Sequence, residues 1–280
     1  MKKLKIIIDS CVLFSISQKD IVKFHNYQVY ITPTNLFEIF THSNSSDIHY
    51  QTDFIKKKLL LYRELKPIWL PDRLTLIRKE FAFNTGTKLK YSVSHQCKKL
   101  MSQILTNNIS LESETLKKIC ILDPIKISQE FANEIEKARA YLKEYCTDPK
   151  YLSERQRYFN TDVIDYNKRK LELFDRLPFD MKTFIEYLLE ESCNSEQINK
   201  FSKSFFISNL KSCFKHIERK IIGTNRNAEK GDYFDFEFLM YICSQVVSID
   251  LLVTNNKRDF QDIFTLGHPL HNKICFFKDL

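Results

Sequence analysis

The chain has 280 residues, 43% hydrophobic and 13% aromatic, which is apolar material enough for a substantial folded core. It carries 43 Lys and Arg against 35 Asp and Glu, and the formal net charge of +8 favours polyanionic partners, nucleic acid first among them. No stretch approaches the run of about 18 apolar residues that a membrane span needs, and the apolar run of the N-terminal MKKLKIIID is cut by Asp9, unlike that of a signal peptide.

The eight cysteines (Cys11, Cys97, Cys120, Cys146, Cys193, Cys213, Cys243 and Cys275) are scattered, with no C-x-x-C among them. They read as reduced, mostly buried thiols of a reducing compartment, so a soluble, cytoplasmic protein without a membrane partner is expected.

In chain order, LKIIIDSCVLFS opens with a β-branched run that predicts a parallel strand buried on both faces and ending at Asp9. In open α/β sheets ligands bind beyond the carboxyl ends of the strands, which is where Asp9 falls. VYIT (29–32) predicts a second strand, and PTNLFEIFTH (33–42) a helix signalled by Pro33 and Thr34, with Glu38 on its second turn. KPIWLP (66–71) reads as another short strand.

From Arg73 to Ile222 the pattern changes to long polar stretches of 3.6-residue period, such as SQEFANEIEKARAYLKEY (128–145) and DMKTFIEYLLEESC (180–193). Three of the chain's four glycines stand at 223, 231 and 267, so helices joined by polar loops fit this block better than hairpins. Beyond Gly231 an apolar helix (235–248), a buried strand IDLLVTNN (249–256) and a further strand KICFF (273–277) are expected. The expected organisation is an α/β unit made of residues 1–72 and 223–280, flanking an all-helical insertion at 73–222.

This order brings Asp9, Glu38, Asp232, Asp235 and the segment TNNKRDF (254–260) to one edge of the sheet. Carboxylates gathered there repel unless a cation neutralises them, and hard oxygen ligands suit Mg²⁺ or Mn²⁺. Simpler roles exist for some of them. Asp232 is also a natural helix N-cap with Asp235 at N3, and Asp259 after Lys257 and Arg258 also reads as a solvated loop. The HPLH segment (268–271) is a poor zinc site because Pro269 opposes the helix that would align its two histidines.

Cations concentrate just before this acidic segment. Lys211, Lys215 and Arg219 lie at i, i+4 and i+8, one stripe of a helix, with Lys220 and Arg226 following. Phe201, Phe205, Phe206 and Phe214 are interleaved with them. The stripe reads either as a solvated helix face or as a phosphate-tracking surface whose aromatics stack unpaired bases.

The segments KIIIDSCV, LFEIF, GDYFDFEFLMYI and LLVTNNKRDF, in this order, resemble the PIN-domain nucleases. The resemblance covers roughly residues 1–71 and 225–280. It implies a three-layer α/β/α fold around a central parallel sheet and metal-dependent cleavage of RNA by an acid cluster holding one or two Mg²⁺ or Mn²⁺ ions. Asp9, Glu38, Asp235 and Asp259 match the principal acids, Asp232 and Asn256 adjoining ligand positions, and Ser10 and Thr254 the hydroxyls that orient the acids. The chain departs from the pattern at Asn255 and Asn256, where an acid is usual, and Asp259 stands one residue late. The insertion points to a larger subfamily.

The expected function is therefore a metal-dependent endoribonuclease leaving 5′-phosphate and 3′-hydroxyl ends, with RNA bound along Lys211, Lys215 and Arg219. Alternatives are a nuclease acting on single-stranded DNA or on structured DNA, and a nucleic-acid-binding or scaffold protein with a degenerate site. A phosphatase would want the D-x-D that is missing after the first strand. A regulatory or antitoxin partner, or self-association through the helical insertion, is also compatible with the sequence.

Overall fold

Leu4–Ile8 forms β1, and Ile6, Ile7 and Ile8 are fully buried because a strand lies on each side and the hydrophobic core packs around them. The computed structural model describes residues 3–41, 48–87, 124–176, 179–260, 263–264 and 266–280. β2 (Tyr27–Ile31), β3 (Ile68–Trp69), β4 (Leu251–Thr254) and β5 (Ile274–Phe276) complete a five-stranded sheet of order β3-β2-β1-β4-β5, parallel at every pairing.

The chain builds the sheet outward from β1 through β2 to β3, then returns to the other side of β1 to add β4 and β5. β1 and β4 therefore flank the point where the winding reverses, and such a switch point opens a crevice beyond the strand ends. α1 (Ser10–Ser15) and α2 (Pro33–Thr41) leave β1 and β2 toward this crevice, and α3 (Ile48–Glu64) leads back to β3.

The helical stretch contains α4 (Arg73–Thr85), α5 (Pro124–Thr147), α6 (Leu152–Phe159), α7 (Tyr166–Arg176), α8 (Met181–Leu189), α9 (Ser195–Ser202) and α10 (Phe205–Thr224). It shares the core of the sheet: one hydrophobic cluster joins Ile7 and Val253 to Phe81 of α4, Phe131 of α5 and Phe206 of α10. A smaller cluster of Leu142, Cys146, Leu173, Phe174 and Ile222 ties α5, α7 and α10 together.

α11 (Lys230–Cys243) lies at the centre, buried from Tyr233 through Cys243 apart from Asp235. A helix apolar on nearly every side needs protein all round it, and α4, α5, α10 and β4 supply that cover. Its limits differ from the expected 235–248. Asp232 is not the N-cap but N3 of a capping box closed by Glu229, which starts the helix a turn earlier. At the other end Ser244 donates its hydroxyl to Glu80 (2.5 Å), and the chain turns through Ser248, at φ +50°, into β4. A short helix, α12 (Lys257–Phe260), replaces the loop read at KRD.

No described helix is long and apolar enough to cross a membrane. The six described cysteines are free thiols, and Cys97 and Cys120 lie outside the described residues.

Candidate metal centre

Asp9 ends β1 in extended backbone, its N–H donating to Val253 O (2.9 Å) as a last rung of the ladder to β4. Its side chain caps α1, accepting from Cys11 N (3.3 Å), and also accepts from Thr254 Oγ1 (2.6 Å) and Cys11 Sγ (2.9 Å). Only 5% of Asp9 is exposed. Burial pushes its carboxyl above the ordinary carboxylate range, and the hydrogen bonds from Cys11 and Thr254 recover only part of the shift.

Glu38 projects from α2 and accepts from Ser10 Oγ (2.5 Å). Ser10 is in turn held by Asn35 Nδ2 (3.1 Å), which also reaches Ile8 O (3.0 Å), while Asn35 Oδ1 caps the turn at Thr32. Burial raises Glu38 to about 8, against the lowering effect of Ser10 and with the charges of Asp9 and Glu237 adding to the rise. Asp235 on α11 lies well above its usual value through burial and then through the charges of Asp9, Asp259, Glu38 and Asp232. Its one described partner is Asn256 Nδ2 at 3.5 Å. Mutual repulsion therefore opposes ionising these acids together.

The remaining acids are neutralised. Asp232 accepts a forked pair from Arg226, one arm at 2.6 Å, and the Glu229 N–H (2.8 Å). Asp259 pairs with Lys220 and Arg258. Although burial pushes it up, hydrogen bonds from Lys220, Arg258 and the Asn256 side chain hold Asp259 down at about 2. Asn256 is the N-cap of α12: its Oδ1 accepts the Asp259 N–H (3.2 Å), which turns its amide nitrogen toward Asp235.

The cluster thus divides into an open trio, Asp9, Glu38 and Asp235, and a paired set, Asp232 and Asp259. Among the described residues no Lys or Arg forms an ion pair with any of the trio. The donor set is carboxylate oxygen only and holds no ion-paired cation, which fits a hard divalent ion such as Mg²⁺ or Mn²⁺. As the side chains stand, no three His, Cys, Asp or Glu among the described residues close around one point. Tyr62 adds to the polar character of the floor. Its hydroxyl is fully buried without a hydrogen-bond partner, near enough to Glu38 and Asp9 to feel their charge.

The expected basic stripe is engaged elsewhere. Lys211 and Lys215 lie over the Phe179 ring at 5.0 and 5.6 Å, and Arg219 pairs with Asp175 of α7 (3.0 Å). Lys220 is turned about 180°, 140° and 100° around α10 from Lys211, Lys215 and Arg219, so the cation at the acids and the stripe occupy different faces. Phe201, Phe206 and Phe214, offered by the sequence as stacking surfaces, are buried in the core, and only Phe205 is exposed.

Sequence reasoning passed over Cys11, Asn35 and Glu237 and gave no special place to Lys220, Arg226, Lys230 and Arg258. A signal for Asn35 was present, since T-x-x-N at the start of a helix is a capping pattern. Lys220 could have been found only by knowing which side of α10 faces α11. His268 and His271 take local backbone partners, Leu270 N–H (3.1 Å) and Phe264 O (2.7 Å).

Comparison of the chain with family models, with curated proteins and with solved structures gave no match, so the site is read from its own chemistry.

Proposed function

We propose that the chain is a metal-dependent nuclease of PIN-domain type that hydrolyses RNA phosphodiester bonds, with Mg²⁺ or Mn²⁺ held by Asp9, Glu38 and Asp235. The observation that carries this reading is the trio of carboxylates at the switch point between β1 and β4, Asp9 buried and Glu38 and Asp235 half-buried, none of them in an ion pair among the described residues. An ion bound there would supply Lewis acidity and an acidified water. The chain's own residues do the rest. Ser10 and Thr254 orient the acids, the buried ends of β1 and β4 keep the dielectric low, and Lys220, Arg226 and Lys230 offer positive charge to the scissile strand. The all-parallel sheet supports the three-layer α/β/α fold this reading requires.

A second reading, a nucleic-acid-binding protein with a degenerate site, is favoured by one observation: the acids do not close around one point. Incubating the purified chain with end-labelled single-stranded RNA and DNA, with and without Mn²⁺, separates the two. Mn²⁺-dependent RNA fragments bearing 5′-phosphates support the nuclease. Fragments from DNA alone move the substrate to DNA, and intact strands that are nevertheless bound favour the degenerate site.

A further inference from the structure

Three of the five carboxylates lack a cation, but the other two do not. Lys220 Nζ donates to Asp259 Oδ1 and to Arg258 O, and both side chains are partly buried, Lys220 at 25% exposure and Asp259 at 13%. Asp232 is saturated by the fork of Arg226 and by a backbone N–H. Asn256, near both Asp235 and Asp259, is neutral, and its oxygen is committed to the Asp259 N–H. A first divalent ion meets Asp9, Glu38 and Asp235, none of which is held in an ion pair among the described residues. A second finds Asp232 and Asp259 already paired with Arg226 and Lys220.

We propose that Lys220 is the resident second cation of this cluster: its ammonium on Asp259 fills the seat a second divalent ion would need, so the centre takes one divalent ion on the open trio and turns Lys220 toward a phosphodiester oxygen. This rests on the metal-dependent reading above and goes beyond it by fixing the ion count and naming the group that replaces the missing ion. The replacement is chemically reasonable. An ammonium donates to both a carboxylate and a phosphate oxygen, carries its charge without needing a coordination shell, and is already in position before substrate arrives. Arg258 alone does not fill the seat. Its side chain is 82% exposed and reaches Asp259 only at 3.3 Å, so a carboxylate deprived of Lys220 is left largely open to another cation.

The test counts Mn²⁺ ions per intact chain, by calorimetric titration and by the electron paramagnetic resonance of free Mn²⁺, at pH 8 without nucleic acid. The expected results are one ion for the wild type and for Lys220→Arg, which keeps the cation. Lys220→Met should bind two ions, the second more weakly, and so should Lys220→Gln, which keeps a donor on Asp259 and so protects the fold. The double variant Lys220→Met/Asp259→Asn, with neither cation nor carboxylate in the seat, should return to one. Two ions on the wild type, or one ion on folded Lys220→Gln, overturns the assignment of Lys220 while leaving a metal-dependent nuclease standing. No ion on the wild type at millimolar Mn²⁺ removes the metal centre itself and this assignment with it.

Discussion

Thr254 Oγ1 donates to Asp9 Oδ2 at 2.6 Å and joins the carboxyl ends of β4 and β1, the two strands that flank the switch point, across 245 residues of sequence. The hydroxyl is fully buried, and it is among the few contacts that lower the pKa of an acid that burial raises. It is thus both a structural tie and a tuning group for the site.

Thr254→Val keeps the shape of the side chain and removes that donor. Hydrogen bonds to charged groups contribute about 1.5–3 kcal/mol, so urea denaturation should show a loss of about 2 kcal/mol. Thr254→Ser should stay within about 1 kcal/mol of wild type. The Mn²⁺ concentration at half-maximal binding should rise in the valine variant, because Asp9 ionises less readily. A valine variant as stable as wild type would remove the tie from this account.

Asp9, Glu38 and Asp235 all have folded-state pKa values raised above their unfolded ones, with Glu38 at about 8. The folded chain then holds more protons than the unfolded one between about pH 4 and 8, so metal-free stability is fullest below pH 4 to 4.5 as far as these groups decide it, and falls as pH rises toward 8. Each group can change stability by no more than about 1.4 kcal/mol per pH unit. Asp259, held at about 2, acts in the opposite sense only at lower pH, where its contribution is lost as pH falls through that value. Melting temperatures measured from pH 5 to pH 8 should therefore fall without metal, and 1 mM Mn²⁺ should flatten or reverse the trend. A metal-free melting temperature that rises over this range would show that the acids are already compensated.

Asp235→Asn removes a repelling charge whose one described partner is an amide at 3.5 Å. The variant should melt higher than wild type without metal at pH 8, yet lose Mn²⁺ binding. A drop in stability would mean that the aspartate makes a favourable interaction and is not held against repulsion.

Asn256→Asp keeps an oxygen for the Asp259 N–H, so the cap of α12 survives, and it sets a new carboxylate close to Asp235. The Mn²⁺ midpoint should fall and metal-free stability at pH 8 should fall with it. A midpoint that stays or rises would show that position 256 does not face the ion.

The parts of this arrangement that depend on short-range pattern were legible in the sequence. Ile6-Ile7-Ile8 followed by Asp9 marks a buried strand ending at an acid, and LLVT before two asparagines marks the second central strand. Pro33 and Thr34 set the start of α2 and hence the position of Glu38. What failed was whatever depends on the partner across the fold. β2 begins at Tyr27, two residues early, because its register follows Leu4 and Lys5 of β1. α3, Ile48–Glu64, was passed over because its polar face interrupts the apolar pattern. The stripe at Lys211, Lys215 and Arg219 is a real periodicity, but period says only which residues share a face. Which face meets the acids is decided by packing against α11, and that packing selects Lys220.

The central claim is that Asp9, Glu38 and Asp235 act together as a divalent-ion centre that cuts RNA. Its most direct test is the initial rate of cleavage of 5′-labelled single-stranded RNA in Mn²⁺ by wild type beside Asp235→Asn, with both proteins shown to be folded. The account expects Mn²⁺-dependent cleavage by wild type and a loss of about 100-fold or more in the variant, the several kcal/mol that metal catalysis supplies. Folded Asp235→Asn cutting RNA at the wild-type rate, or wild type cutting equally well in EDTA, would contradict it.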